Sequence, residues 1–360
     1  MSELAKILQQ ETEREGVISF ARFMELALYC PVYGYYEQSG RIGRAGDFYT
    51  NLSVGALFGE LLAFQFVQWL EALTEPVKCL EAGAHDGQLA YDILSWLHQN
   101  YPDLCKRLDY WILEPSTARQ ACQLHKLDKF AQVKWFHSWA ALPEQQLSGI
   151  IFSNELLDAF PVHRIFWDTA RQAWFEWGVT LNENKEFIPR KMFSRDWTTE
   201  VKEAEFAAAP ELMELLPDGY TIELCPGASK WWGQAARALR RGKLLTIDYG
   251  LTAAELLAPE RTAGTLRSYY RHHLAPDPLS RPGEQDITAH VNFEEVIKTG
   301  EAAGLRTQGL FSQMQFLTSI ATKMLEKGTE NWKPALVRQF QTLTHPAHLG
   351  RAFQVLIQER

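Results

Sequence analysis

Residues 77–89, Val-Lys-Cys-Leu-Glu-Ala-Gly-Ala-His-Asp-Gly-Gln-Leu, constrain the fold more than any other stretch of this chain. The apolar run predicts a short strand ending at Glu81. Gly83 and Gly87, on either side of Ala84, predict a tight turn, and a helix is expected from about Gln88 with its first N–H groups unpaired. Strand, acid, glycine turn and helix in that order is how α/β proteins build a nucleotide pocket. A second acid, Glu114, closes the next predicted strand, Tyr110-Trp-Ile-Leu-Glu, where a carboxylate can accept hydrogen bonds from both hydroxyls of a ribose. Together the two acids point to S-adenosylmethionine (SAM).

The competing ligand is a nicotinamide or flavin dinucleotide. Its fingerprint needs glycines at the first, third and sixth positions of the turn, where this chain has Gly83, His85 and Gln88. Loss of the second glycine leaves less room for a pyrophosphate on the backbone, and loss of the third keeps the helix from packing closely on the strand.

With 360 residues, 46% of them hydrophobic and 22% charged, the chain can bury a large core as one elaborated domain or two unequal ones. A net charge of −8 argues against a general nucleic-acid binder, and the run Arg237 to Lys243 reads as a solvated helix end. Cysteines 30, 79, 105, 122 and 225 show neither metal-ligand spacing nor an even framework, which predicts a reducing, cytoplasmic home. The N-terminus, Met1 to Glu15, is acidic and amphipathic, unlike a transit peptide or secretion signal, so no targeting segment is expected. Glu60, Gln65, Gln68 and Glu71 interrupt the apolar stretch from Gly55 to Leu73, which predicts an amphipathic helix rather than a membrane span.

From residue 77 the pattern alternates: strand 77–82, helix 87–99, strand 108–114, helix 116–127, strands 132–136 and 148–153, and later strand 243–248. Such alternation predicts a parallel sheet with helices on both faces, binding its ligand beyond the carboxyl ends of the strands. The insertion after strand 148–153 begins with alternating aromatics, Val162 to Trp167 and Ala173 to Leu181, which predict an antiparallel hairpin with Asn182-Glu-Asn-Lys as the next turn. Pro226-Gly precedes a helix from about Ala228 to Leu239. Leu251 to Ala289, rich in Arg, His, Tyr and Pro, reads as a largely irregular lid, followed by a helix near 293–303. Strands near 306–317 and 352–358 flank a helical excursion.

Asn154, Glu155 and Asp158 end strand 148–153 at the carboxyl edge of the predicted sheet, beside the expected cofactor. Carboxylates there can orient a guanidinium through paired hydrogen bonds, and methyl transfer from a sulfonium needs an aligned acceptor in a dry site. The alternative is that Glu155 and Asp158 cap a following helix. In the predicted lid, Asp286, Thr288 and His290 alternate as on one face of a strand, which makes His290 a further candidate. His272 and His273 read as surface or packing residues, no metal site is expected, and no Gly-x-Ser-x-Gly elbow supports a serine hydrolase.

Several longer motifs carry a resemblance over nearly the whole chain. They are Phe23-Met-Glu-Leu-Ala-Leu-Tyr with Tyr33-Gly-Tyr-Tyr, Gly46-Asp-Phe-Tyr-Thr, Phe58-Gly-Glu-Leu, Glu81-Ala-Gly with Gly87, Glu114-Pro-Ser, Asn154-Glu-Leu-Leu-Asp-Ala-Phe-Pro-Val, Ile247-Asp-Tyr-Gly and Gly283-Glu-Gln-Asp-Ile-Thr-Ala-His-Val. In these the chain resembles the MidA-type family of SAM-dependent methyltransferases, which includes a mitochondrial complex I assembly arginine methyltransferase. The resemblance implies an α/β, Rossmann-like methyltransferase sheet with a helical N-terminal cap and an inserted antiparallel β/helical substrate region. The expected boundaries are 1–75 for the cap, 76–161 and 226–360 for the core with a lid at 251–290, and 162–225 for the insertion.

The resemblance further implies SAM held by Glu81, Gly83, Ala84, Gly87, Glu114, Asp47 and Asn154, and arginine methylation of a protein partner, such as a respiratory-complex subunit. The family's Gly-x-Gly-x-Gly is broken at its middle position by His85, a residue type that tolerates positive φ at some cost. That departure motivates an alternative, a non-catalytic assembly or interaction protein that keeps the fold. Methylation of a small molecule is a third reading. The hairpin aromatics Trp174, Phe175 and Trp177 serve either core packing or a homodimer contact.

Overall fold

The computed structural model describes residues 2–38, 51–73, 76–142, 147–204, 206, 215–271, 273–328 and 332–360. The chain divides into two compact units, one of Met1–Phe48, Leu157–Lys230 and Gly250–Lys298, the other of Tyr49–Leu156, Trp231–Tyr249 and Thr299–Arg360.

The second unit is built on a seven-strand path, in spatial order Arg306–Ser312, Phe353–Glu359, Leu239–Leu251, Leu147–Asn154, Val77–Ala82, Leu108–Leu113 and Val133–Phe136. Numbered along the chain this order is 6-7-5-4-1-2-3. Strand Phe353–Glu359 runs antiparallel to both its neighbours, and every other adjacent pair is parallel. The order reverses between Val77–Ala82 and Leu147–Asn154, so the crevice that binds ligands in such sheets lies beyond Ala82 and Asn154. Burial on both faces fits the central apolar run Ile150-Ile-Phe of strand Leu147–Asn154, whose residues are buried up to the last one, Ser148 and Ser153 included.

Helix Leu57–Leu70 departs from the amphipathic expectation. Glu60 is half-buried and Gln65 is buried along with Leu57, Phe58, Leu61, Leu62, Phe64, Phe66 and Val67, so the helix presents almost no solvent face. It packs against helices Gln88–Asn100, Gln313–Glu326 and Pro334–Thr344 and against strand Leu147–Asn154, and a helix enclosed this way needs no polar stripe. The strand expected near 306–317 stops at Ser312. There Ser312 and Gln315 form a capping box, each side chain bonding the other's backbone, and helix Gln313–Glu326 begins.

In the first unit, Ser2 and Ser19 cap helices Glu3–Glu15 and Phe20–Tyr29. The expected hairpin is present as His163–Asp168 against Ala173–Leu181, with Phe166 opposite Phe175, and Phe187–Met192 follows the turn at Asn182. Ile18–Ser19 and Thr221–Leu224 complete a five-stranded antiparallel sheet. Trp174 is fully buried with Ile165, Trp197 and Tyr220, and Trp177 donates to Thr221 Oγ1 at 3.1 Å, so both serve this unit's own packing. Residues 251–289 are less irregular than expected, because Arg267–Tyr270 pairs with both His273–Ala275 and Asp286–Thr288. Strands of three or four residues are too short to show a period in sequence.

Candidate active site

Beyond Ala82 the turn has the geometry its residues require. Gly83, His85 and Gly87 all have positive φ, 69°, 51° and 83°. A Cβ on Gly83 would meet Leu156 Cδ1 at 2.8 Å, so a side chain there must displace the tip of Leu156 as well as take up a left-handed backbone. His85 adopts a left-handed conformation, with its carbonyl held by Gln123 Nε2 at 2.9 Å. Ala84 is buried.

Asp86 turns back on the start of helix Gln88–Asn100. Its Oδ1 accepts the Gln88 N–H at 3.0 Å and its Oδ2 pairs with Lys126 Nζ at 2.5 Å. Burial pushes this carboxyl up, but bonds and charge from His85 and Lys126 outweigh it and hold Asp86 well below the usual carboxylate range. An anion therefore already sits at this helix terminus. That suits a cationic sulfonium nucleoside better than a pyrophosphate.

Glu114 is buried at the end of Leu108–Leu113. Its Oε1 accepts from Ser116 N–H at 3.0 Å and its Oε2 from Gln123 Nε2 at 3.1 Å. Gln123 thus joins the turn to Glu114, while its own carbonyl oxygen accepts from Trp135 Nε1 at 3.0 Å. Sequence reasoning missed Gln123. The available signal was a glutamine on the inward face of helix Thr117–Lys126, whose only other buried residue is Arg119. Glu81 takes a different part. Its Oε2 accepts from Tyr110 Oη at 2.6 Å, and burial pushes its carboxyl up to about 8.

At the neighbouring strand end Glu155 also has a left-handed backbone, φ 52°. Its N–H donates to Ile247 O at 2.9 Å, and the next residue, Leu156, donates to Asp248 Oδ2 at 3.1 Å. No helix follows, so the capping alternative for Glu155 and Asp158 does not apply. Two donors converge on Glu155 Oε1, Asn51 N–H at 3.2 Å and Asn154 Nδ2 at 3.1 Å. Asn51 was not anticipated. Asn154 and Glu155 stand in the same unit as Glu81, Gly83, Ala84, Gly87 and Glu114.

Asp158 and His290 belong to the other unit, and Asp47, like His272, lies outside the described residues. Asp158 is buried, and its carbonyl accepts from Ala289 N–H at 2.9 Å. Asp286 is engaged by Tyr36 Oη at 2.7 Å. His290 lines a small cavity with Glu223, Cys225, Ser229 and Glu295, and its Nδ1 is buried without a hydrogen bond among the described residues. Burial, aided by the charges of Arg267 and Arg261, pushes His290 down to about 4. Among the described residues no cluster of His, Cys, Asp and Glu could hold a metal, and no helix is long and apolar enough to cross a membrane.

Residues 61–311 match the family of S-adenosyl-L-methionine-dependent methyltransferases. The crystal structure of a Burkholderia thailandensis protein bound to S-adenosyl-homocysteine superposes with a TM-score of 0.85 at 30% identity, covering 99% of this chain and 92% of that one. The protein arginine methyltransferase NDUFAF7 of Danio rerio is 24% identical over 387 residues, covering 98% of this chain and 85% of that protein. Its Drosophila melanogaster homolog is 27% identical over 386 residues, covering 98% and 84%. Both are named as mitochondrial, which overturns the cytoplasmic location expected from cysteine usage and the N-terminus.

Proposed function

This chain belongs to the MidA-type family of SAM-dependent methyltransferases, and from that premise we propose that it methylates an arginine on a protein partner. The named activity of relatives aligned over nearly the whole chain supports the acceptor class. The observation that carries the reading is the pairing of two strand ends at the sheet's reversal, a left-handed glycine turn on one and a clamped carboxylate on the other. His85 takes a positive φ, 51°, that a glycine could also adopt, so it gives the non-catalytic alternative little support.

In this reading Gly83, Ala84 and Gly87 form the floor under the cofactor, and Glu114 accepts its ribose hydroxyls. Bound SAM supplies an electrophilic methyl group on a sulfonium. Glu155, steadied at Oε1, accepts hydrogen bonds from the guanidinium, aligns one nitrogen and takes up the proton that this nitrogen sheds. The Asn154 amide holds the carboxylate at that oxygen. No step is assigned to Asp158 or His290. A respiratory-complex subunit as the acceptor is the narrower form of the proposal.

Calorimetric titration with S-adenosyl-homocysteine tests the cofactor half. Glu114→Ala should weaken binding by about ten- to a hundred-fold, the loss of hydrogen bonds to a charged group. Labelled SAM with a cell extract, followed by acid hydrolysis, tests the acceptor half. Label in methylated arginine is the expected outcome, and label confined to small metabolites would exclude a protein acceptor.

A further inference from the structure

The carboxylate at the Glu155 edge depends on residues remote from it in sequence. Gln313, fully buried at the start of helix Gln313–Glu326, donates from Nε2 to Leu343 O at 3.0 Å and to Asn51 Oδ1 at 2.8 Å. Asn51, fully buried as well, donates from Nδ2 to Asn154 Oδ1 at 3.2 Å. Asn154 Nδ2 then donates to Glu155 Oε1, where the Asn51 N–H also arrives. All these residues belong to one unit.

The chain of amides has a direction. A backbone carbonyl can only accept, so Leu343 obliges Gln313 to present its NH2 group. Asn51 must then turn its carbonyl to Gln313 and its NH2 to Asn154, and Asn154 its NH2 to Glu155. Reversing any one amide sets oxygen against oxygen at the next link. Gln313 Oε1, meanwhile, is buried with no protein partner among the described residues, a cost that an apolar residue of the same shape would avoid. The same edge carries the left-handed backbone of Glu155, another local cost. Two unfavourable features at the ends of one hydrogen-bonded chain fit a site held for function rather than for packing.

We propose that Gln313 and Asn51 are positioning residues of the methyl-transfer site, a one-way amide relay from Leu343 that fixes the Glu155 carboxylate in a single orientation. The inference rests on the role given to Glu155 above. Asn51 acts on Glu155 directly, and Gln313 acts only through Asn51.

The test uses the full chain saturated with S-adenosyl-homocysteine. Side-chain amide exchange at Asn51 and Asn154 is followed by NMR in the wild type, in Gln313→Met and in Gln313→Glu. Labelled transfer from SAM into the arginines of a fixed cell extract is measured alongside. In Gln313→Met both amides should exchange at least about ten-fold faster, as a hydrogen-bonded network loses its anchor. Transfer at saturating SAM should fall about ten-fold or more from a misplaced carboxylate, while S-adenosyl-homocysteine affinity stays within about two-fold. Gln313→Glu keeps the shape but, when ionised, offers no donor to Leu343 or Asn51, so it should be at least as impaired as Gln313→Met.

A folded Gln313→Met that keeps wild-type amide exchange and wild-type transfer overturns the proposal. If Gln313→Glu does not fold, Gln313→Met alone decides. Glu155→Gln separates this inference from the reading beneath it. Normal transfer by Glu155→Gln removes the role of Glu155 and the relay's purpose with it, whereas an inactive Glu155→Gln beside a fully active Gln313→Met removes the relay alone.

Discussion

The turn at Gly83–Gly87 and the edge at Asn154–Glu155 follow adjacent strands of one sheet, yet they are constructed in opposite ways. The turn is local. Its shape comes from three alternate positive-φ positions within five residues, and Asp86 accepts the N–H of Gln88, the first residue of the helix that the turn opens. The edge is assembled from distant parts of the chain, with Asn51 and Gln313 converging on a carboxylate at position 155. Cofactor geometry that many relatives share can be written in one contiguous motif. A carboxylate held by side-chain amides can instead draw its partners from separate segments of the chain.

That contrast can be broken, most forcefully at Gly83. Gly83→Val puts a branched side chain at φ 69° and into Leu156, so about 3 kcal/mol of stability and most S-adenosyl-homocysteine binding should be lost by thermal unfolding and calorimetry. Undiminished binding would mean that the turn is not the cofactor floor. A smaller effect is expected at Glu81. Burial pushes its carboxyl up from 4.5 to about 8, so between those pH values the folded chain keeps a proton that the unfolded chain has shed. Stability should therefore fall as pH rises through that window and level off above it. Glu81→Gln should remove a slope worth on the order of 1–3 kcal/mol in denaturant titrations, and an unchanged slope would place its source elsewhere.

The smallest effect is expected at His85. His85→Gly relieves a left-handed side chain but adds backbone freedom to the unfolded chain, and the two nearly cancel at about 1 kcal/mol each. Cofactor affinity should move by less than about five-fold, since the φ is already supplied. A large gain would show that histidine distorts the turn, and the turn would then be less self-sufficient than the comparison holds.

What could be read from the sequence divides along the same line. The strand ends at Glu81 and Glu114 and the turn from Gly83 to Gly87 were legible as elements because strand, turn and helix follow one another, and the hairpin at 163–181 because its aromatics alternate. Gln123, Asn51 and Gln313 were not, since a buried amide has no period and its partners lie up to 262 residues away. The Ser312–Gln315 capping box was present as a Ser-x-x-Gln motif but was absorbed into an apparent strand. Leu57–Leu70 misled in the opposite way, because its scattered glutamines and glutamates imitate a wet face in a helix that has almost none.

That enclosed helix has a consequence for biosynthesis. Until the strands and C-terminal helices that surround it have been made, the growing chain displays a segment that is apolar on nearly every side, with no polar face to turn outward. It is the stretch a holding chaperone would grip, and refolding yield should drop with protein concentration as exposed copies find one another before they find their sheet.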